Sequence, residues 1–269
     1  MATAIDDVGT RAPPFAGTFC YEGGHLVTGW HHHEVHQLEY ALAGLVEVED
    51  VTGHYLLPPQ QAAWIPAGVR HESVLHAEVR TISVFFDPTL VDAPVDRVRI
   101  IAVEPLLREM VIHAVRWPTD RLTTDPRATT YFVALGNLVA EALQHEAPLR
   151  LPTSEDPIVA AAMAFTRDHL QDVTVEQVAR AVGTSARTLR RRFVADVGMP
   201  WRTYLLVARL LHSMTLLARP DANILSVALE VGFDSATGFG RAFRAHSGET
   251  PSVYRRRVLG TQTVSELRE

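Results

Sequence analysis

Residues 178–198 and 227–248 repeat one pattern. The first copy has Val178-Ala179, Gly183, Ser185, Leu189, Arg191, Phe193 and Gly198, and the second has Val227-Ala228, Gly232, Ser235, Phe239, Arg241, Phe243 and Gly248. From the serine onward the offset is a constant 50 residues, with one extra residue in the second turn. Such a period marks a duplicated supersecondary unit. No other feature of the chain constrains its fold as strongly.

Each copy is punctuated as two short helices at a sharp turn. Thr174 with Gln177 makes a capping-box pattern. Val175, Val178, Ala179 and Val182 then share one helical face. Gly183 suits a left-handed position after the helix, and Thr184 or Ser185 can cap the next one. There Leu189 and Phe193 face inward, and Arg187, Arg190, Arg191 and Arg192 take much of the rest. In the second copy Asn223 caps, Val227, Ala228 and Val231 face inward, Gly232 ends the helix, and Asp234 or Ser235 caps the next. Phe239 and Phe243 pack inward, while Arg241 and Arg244 point elsewhere. A helix-turn-helix accounts for the arginine crowding, because an arginine fork in the major groove binds guanine or phosphate. The plainer alternative is a solvated helix face.

This stretch resembles the AraC/XylS family of transcription regulators. The resemblance rests on Ser185-Ala-Arg-Thr-Leu-Arg-Arg-Arg-Phe193, Val227-Ala-Leu-Glu-Val-Gly-Phe-Asp-Ser235, Phe239-Gly-Arg-Ala-Phe-Arg244 and Gly248-Glu-Thr-Pro-Ser-Val-Tyr-Arg255. It implies a seven-helix domain whose two recognition helices enter successive major grooves. DNA contacts are then expected at Arg187, Thr188, Arg190 and Arg191, and at Ala236, Thr237, Gly240 and Arg241. The second helix departs from a typical member, since Ala236, Gly238 and Gly240 offer no hydrogen-bonding side chain. Base readout is therefore expected mainly from the first helix and phosphate contact from the second. Between them, Trp201–Arg219 reads as a core helix stopped by Pro220. It would hold the recognition helices about one DNA turn apart, roughly 34 Å.

Charge divides the chain the same way. Residues 1–155 hold 10 arginines against 20 acidic residues, and residues 156–269 hold 15 against 11; there is no lysine. A basic C-terminal part fits a polyanion partner, and the acidic part argues against DNA contact there. No window approaches the roughly 18 unbroken apolar residues of a membrane span. The N-terminus lacks the basic start and apolar run of a secretion signal. A single cysteine, Cys20, makes no internal disulfide, and an incidental or buried thiol is a plainer reading of it than a redox sensor. The expected location is the cytoplasm, with no membrane partner.

Residues 1–20 read as an irregular arm. From His25 to Phe86 short strands alternate with turns, including a hairpin of Leu38–Leu42 and Leu45–Val51 about Ala43-Gly44. Such spacing suggests a small barrel or jelly roll. The stretch resembles a cupin through Gly29-Trp-His-His-His33 with Glu39 and Gly44, and through Pro66-Ala-Gly-Val-Arg-His71. His31 and His33 alternate along a strand and so share a face; His71 could complete a three-imidazole set. Such a set suits zinc, nickel or iron. Five residues separate His33 from Glu39, against three or four in the usual pattern, which leaves Glu39, His32 and His36 as competing ligands. Ten of the 13 histidines lie in this half. The plainer alternative is neutral histidines that hydrogen-bond a small effector.

Residues 102–117 and 126–146 read as helices, packed on the barrel, presenting a dimer face, or both. Pro148–Pro157 reads as a polar linker.

The expected fold class is α+β multidomain: a small β-barrel of the cupin or jelly-roll kind with helices, then an all-α domain with two helix-turn-helix units. The expected boundaries are 1–147 for the sensor and dimerisation domain (barrel about 18–90, helices about 102–146), 148–157 for the linker and 158–260 for the DNA-binding domain. The expected function is a sequence-specific transcription regulator, not an enzyme, sensing a small molecule or metal ion. Its partners are double-stranded DNA, a second copy of the chain and, for an activator, RNA polymerase. The alternative is a cupin metalloenzyme with a fused DNA-binding domain, using His31, His33 and His71.

Overall fold

Nine strands build two sheets in the N-terminal half of the computed structural model, which describes residues 15–76, 79–120 and 125–259. One sheet has the order β1 (Ala16–Gly23), β8 (Val79–Phe86), β3 (His36–Ala43), β6 (Gln61–Ile65), β9 (Arg99–Ala102), with every neighbour antiparallel. The other includes, side by side, β5 (Gly53–Leu57), β4 (Val46–Asp50), β7 (His71–Leu75) and β2 (Leu26–Val27). Stacked antiparallel sheets of short strands are the expected small barrel.

Period-two alternation gives the first sheet two different faces. Leu38, Tyr40, Ile82, Val84 and Phe86 are buried in one cluster with residues of α1 (Pro105–Ala114) and α2 (Pro126–Ala142), notably Val111, Phe132, Leu135 and Val139. Gln37, Glu39 and Ser83 alternate with them and so turn to the barrel interior. Register pairs Glu39 with Ser83 across β3 and β8.

Local reading fails where pairing is remote. The expected hairpin at Gly44 does not form: β3 and β4 belong to different sheets. Gly44, at φ +75°, passes the chain from one sheet to the other. β1 begins inside the expected N-terminal arm, whose residues 1–14 lie outside the described residues. Cys20 on it is exposed, not buried. β9 precedes the first helix, which is shorter than expected, and the proposed linker contains a short strand, β10 (Arg150–Pro152).

The described residues divide into two compact units, the first lying within Met1–Val51 and Tyr55–Leu149, the second within Thr52–His54 and Arg150–Glu269. The second unit holds seven described helices: α3 (Pro157–Asp168), α4 (Val175–Ala181), α5 (Ala186–Val197), α6 (Trp201–Leu217), α7 (Ile224–Glu230), α8 (Ala236–Ser247) and α9 (Pro251–Leu259). Their starts follow from their caps. Thr174 and Gln177 form a reciprocal capping box on α4. Ser185 accepts from Thr188 N, Asn223 from Leu225 N and Ser226 N, and Ser235 from Gly238 N. Ser185 and Ser235, not Thr184 and Asp234, therefore cap α5 and α8. Leu189, Phe193, Phe239 and Phe243 are fully buried. Each such side chain contributes about 1.5–3 kcal/mol over its exposed state.

No described helix is long and apolar enough to cross a membrane.

Candidate functional site

With Leu189 and Phe193 turned inward, α5 presents Arg187, Arg190, Arg191 and Arg192 outward, all four exposed. They are not equivalent. Arg192 pairs with Asp156, the cap of α3, at 3.0 Å. Arg190 donates from Nη2 to Glu176 Oε1 at 2.9 Å. Among the described residues, Arg187 and Arg191 make no ion pair. Thr188 is half-buried and tied to the Ser185 cap through both its amide and its hydroxyl.

On α8, Thr237 and Arg241 are exposed and Ala236 is half-buried. A Cβ added at Gly240 would meet nothing within 4 Å. The surface there is open and bare backbone is within reach of a large ligand. Glu176 and Asp156, the acidic partners of the α5 arginines, were not legible from the repeat, because neither belongs to the arginine-bearing helix.

The barrel holds the second candidate. The rings of His31 and His71 lie 4.3 Å apart by centroid, those of His33 and His71 5.1 Å, and those of His31 and His33 6.2 Å. The three histidines do cluster, but not by strand alternation. His31 joins His71 in a single isolated bridge, and His33 lies in an irregular stretch whose carbonyl accepts from Gly68 N. Each ring is held through Nδ1 by a backbone carbonyl: His31 by Gly29 at 2.8 Å, His33 by Val35 at 2.6 Å, and His71 by Val69 at 2.9 Å. A carbonyl only accepts, so each Nδ1 carries a proton.

At His33 the other ring nitrogen is already engaged. Nε2 lies 2.8 Å from Gln37 Oε1, and Gln37 Nε2 donates to Glu39 Oε2 at 2.8 Å. The Ser83 hydroxyl donates to the same carboxyl oxygen in a short contact. Burial holds His33 below the ordinary imidazole range and His71 down to about 3. It raises Glu39 above the ordinary carboxyl range. His36 is not part of the group: it accepts from Ala67 N and lies against Trp64 at 4.8 Å. His32 is exposed beside Glu34.

As a metal site this donor set has the right chemistry but not the placement. Among the described residues no group of three or more His, Cys, Asp or Glu side chains stands so as to hold a metal ion. Gln37 occupies the third nitrogen, and Glu39 is committed to Gln37 and Ser83. The missed residues, Gln37 and Ser83, could have been suspected from alternation with Leu38 and Val84, which points them to the interior.

Comparison with known proteins agrees with the two halves. A family described as "AraC-like ligand binding domain" matches residues 15–151, just over half the chain, and one described as "Helix-turn-helix domain" matches residues 178–257. The chain belongs to the AraC family. It is a DNA-binding transcription regulator with a ligand-binding domain, as its AraC-family matches have it. The HTH-type transcriptional regulator NimR of Escherichia coli is 28% identical over 243 residues, covering 89% of this chain and 87% of that protein. The regulator RipA of Corynebacterium glutamicum is 33% identical over 115 residues; these cover 41% of this chain and about a third (34%) of RipA. Among solved structures, the DNA-binding domain of AdpA in complex with a target DNA is 30% identical, with a TM-score of 0.36, over 39% of this chain and 95% of that one. ToxT of Vibrio cholerae, bound to an unsaturated fatty acid, is 11% identical with a TM-score of 0.39, over 93% and 99%.

Proposed function

We propose that α5 reads bases and α8 holds the backbone. Arg187, Arg190 and Arg191 face guanines in one major groove, with Thr188 fixing the helix start. In the next groove Thr237 and Arg241 bind phosphates, and Ala236 and Gly240 let the backbone approach. The observation behind this is the contrast at equivalent positions: exposed Arg190 on α5, open Gly240 on α8. Selection of duplexes from random DNA, followed by footprinting, tests it. Sequence preference in one protected groove and none in the other is the expected result; equal preference in both sinks it.

The regulating ligand is a small molecule that hydrogen-bonds the Nε2 atoms of His31 and His71. It acts by differential affinity for two DNA-binding or dimer geometries. The chain works as a homodimer in the cytoplasm and meets RNA polymerase if it activates.

A second reading keeps the metal. It draws on the three Nδ1 atoms, all fixed by backbone carbonyls in the manner of metal-bound histidines, and requires His33 to leave Gln37. Metal analysis of tag-free protein beside a His31→Ala/His71→Ala variant decides. One equivalent lost in the variant supports the metal; none in either supports the organic ligand.

A further inference from the structure

The two helix-turn-helix units meet at one side chain. Arg209 stands midway along α6. Its Nε donates to Leu170 O at 2.8 Å and its Nη2 to Gln171 O at 3.0 Å. Both carbonyls lie in the segment between α3 and α4 that leads into the first unit. Against the same groups sits Gly232, the turn of the second unit. A Cβ there would fall 2.1 Å from Gln171 O and 2.6 Å from Arg209 Nη2. Burial works against the guanidinium charge, and the carboxylates of Asp234 and Asp172, one from each side, work for it.

We propose that Arg209 is a positioning residue that fixes α8 relative to α5 and so sets the spacing of the two DNA segments the chain accepts. The apolar face of α6 holds the units together, but apolar burial is non-directional. Two hydrogen bonds from one rigid planar fork are directional. Gly232 pressed against that fork ties the second turn to the same point. α6 therefore carries the units, and Arg209 fixes how they face.

This inference rests on the reading that α5 and α8 enter successive grooves. The test uses the full chain and a duplex it selects from random DNA. One base pair is then inserted between the two protected grooves, turning one against the other by about a tenth of a helical turn. Wild type is expected to lose about tenfold in affinity or more. Arg209→Met, similar in length and uncharged, should bind the parent duplex more weakly but lose only about threefold on insertion. Arg209→Lys, a single point donor, should fall between. A merely structural loss weakens binding to both duplexes alike and leaves their ratio unchanged, so an unchanged ratio in folded Arg209→Met overturns the proposal. Should that variant fail to fold, the ratio in Arg209→Lys decides in the same way. A wild type indifferent to the insertion overturns the two-groove reading itself, and this proposal with it.

Discussion

The Nε2 of His33 lies 2.8 Å from the Oε1 of Gln37, and the same amide reaches on to Glu39. Gln37 thus joins a buried base to a buried acid. With its oxygen toward His33, the amide suits an imidazolium and a carboxylate. Turned over, it suits a neutral imidazole and a protonated carboxyl. Burial lowers His33 and raises Glu39, and so favours the neutral pair. Any ligand that brings a charge beside His33 bears on this balance.

Glu39 carries the first prediction. Its folded pKa lies above the ordinary 4.5, so the folded state holds the proton more tightly. That contribution is full below the unfolded value and is lost as pH rises through the folded one. Glu39→Gln should remove the loss. Urea midpoints at about pH 5 and about pH 8 should separate for wild type more than for the variant. Equal separation in both would remove Glu39 as the cause.

His71 acts with the opposite sign. Burial depresses its pKa from 6.5 to about 3, so the folded state refuses a proton that the unfolded state accepts. Its contribution is full above 6.5 and falls as pH drops toward about 3, at up to about 1.4 kcal/mol per unit. His71→Gln should flatten the acid side of the stability curve. The measurement is urea unfolding across that range, and an unchanged acid slope would count against it.

Arg190 and Arg241 should fail differently on DNA. Arg190→Ala is expected to cost about 1–3 kcal/mol of discrimination at one base pair, and Arg241→Ala to weaken all sequences alike and reduce the salt slope by about one. Glu176→Gln should loosen Arg190 while removing a negative charge from the interface. Non-specific binding should then tighten as discrimination falls. Binding titrations on selected and scrambled duplexes at two salt concentrations separate these outcomes.

The serine caps offer a stability test. Ser185→Ala and Ser235→Ala each remove the acceptor of one helix-start amide, Thr188 N or Gly238 N. Each should cost about 0.5–2 kcal/mol. The Gly238 and Gly240 positions make α8 the poorer helix, so Ser235→Ala should raise amide exchange in α8 more than Ser185→Ala does in α5. The reverse order would show that tertiary packing, not the cap, holds α8.

Much of the second unit was legible because its signals are local. A cap bonds to an amide two or three residues away, a left-handed glycine ends its own helix, and Leu189 and Phe193 face one way by the helical period alone. Thr174, Gly183, Ser185, Asn223, Gly232 and Ser235 all sit where such rules put them. The duplication then carried one reading to the other copy.

The barrel was legible as a class but not in its connections. Gly44 looked like a hairpin turn and is a passage between sheets. β1 found its partner in β8, about sixty residues on, with little in Ala16–Gly23 to announce a strand. His36 looked like a competing ligand beside His33, yet it lies against Trp64, while His33 lies beside His71. The sequence by itself determined the two helix-turn-helix units, the strand-rich half and the residue types available for chemistry, since these follow from interactions a few residues long. Only the tertiary structure decided which histidines meet, that Gln37 stands between His33 and Glu39, and that Arg209 reaches Gln171 beside Gly232. Those depend on register and on contacts between distant segments, which the packing of the whole unit selects.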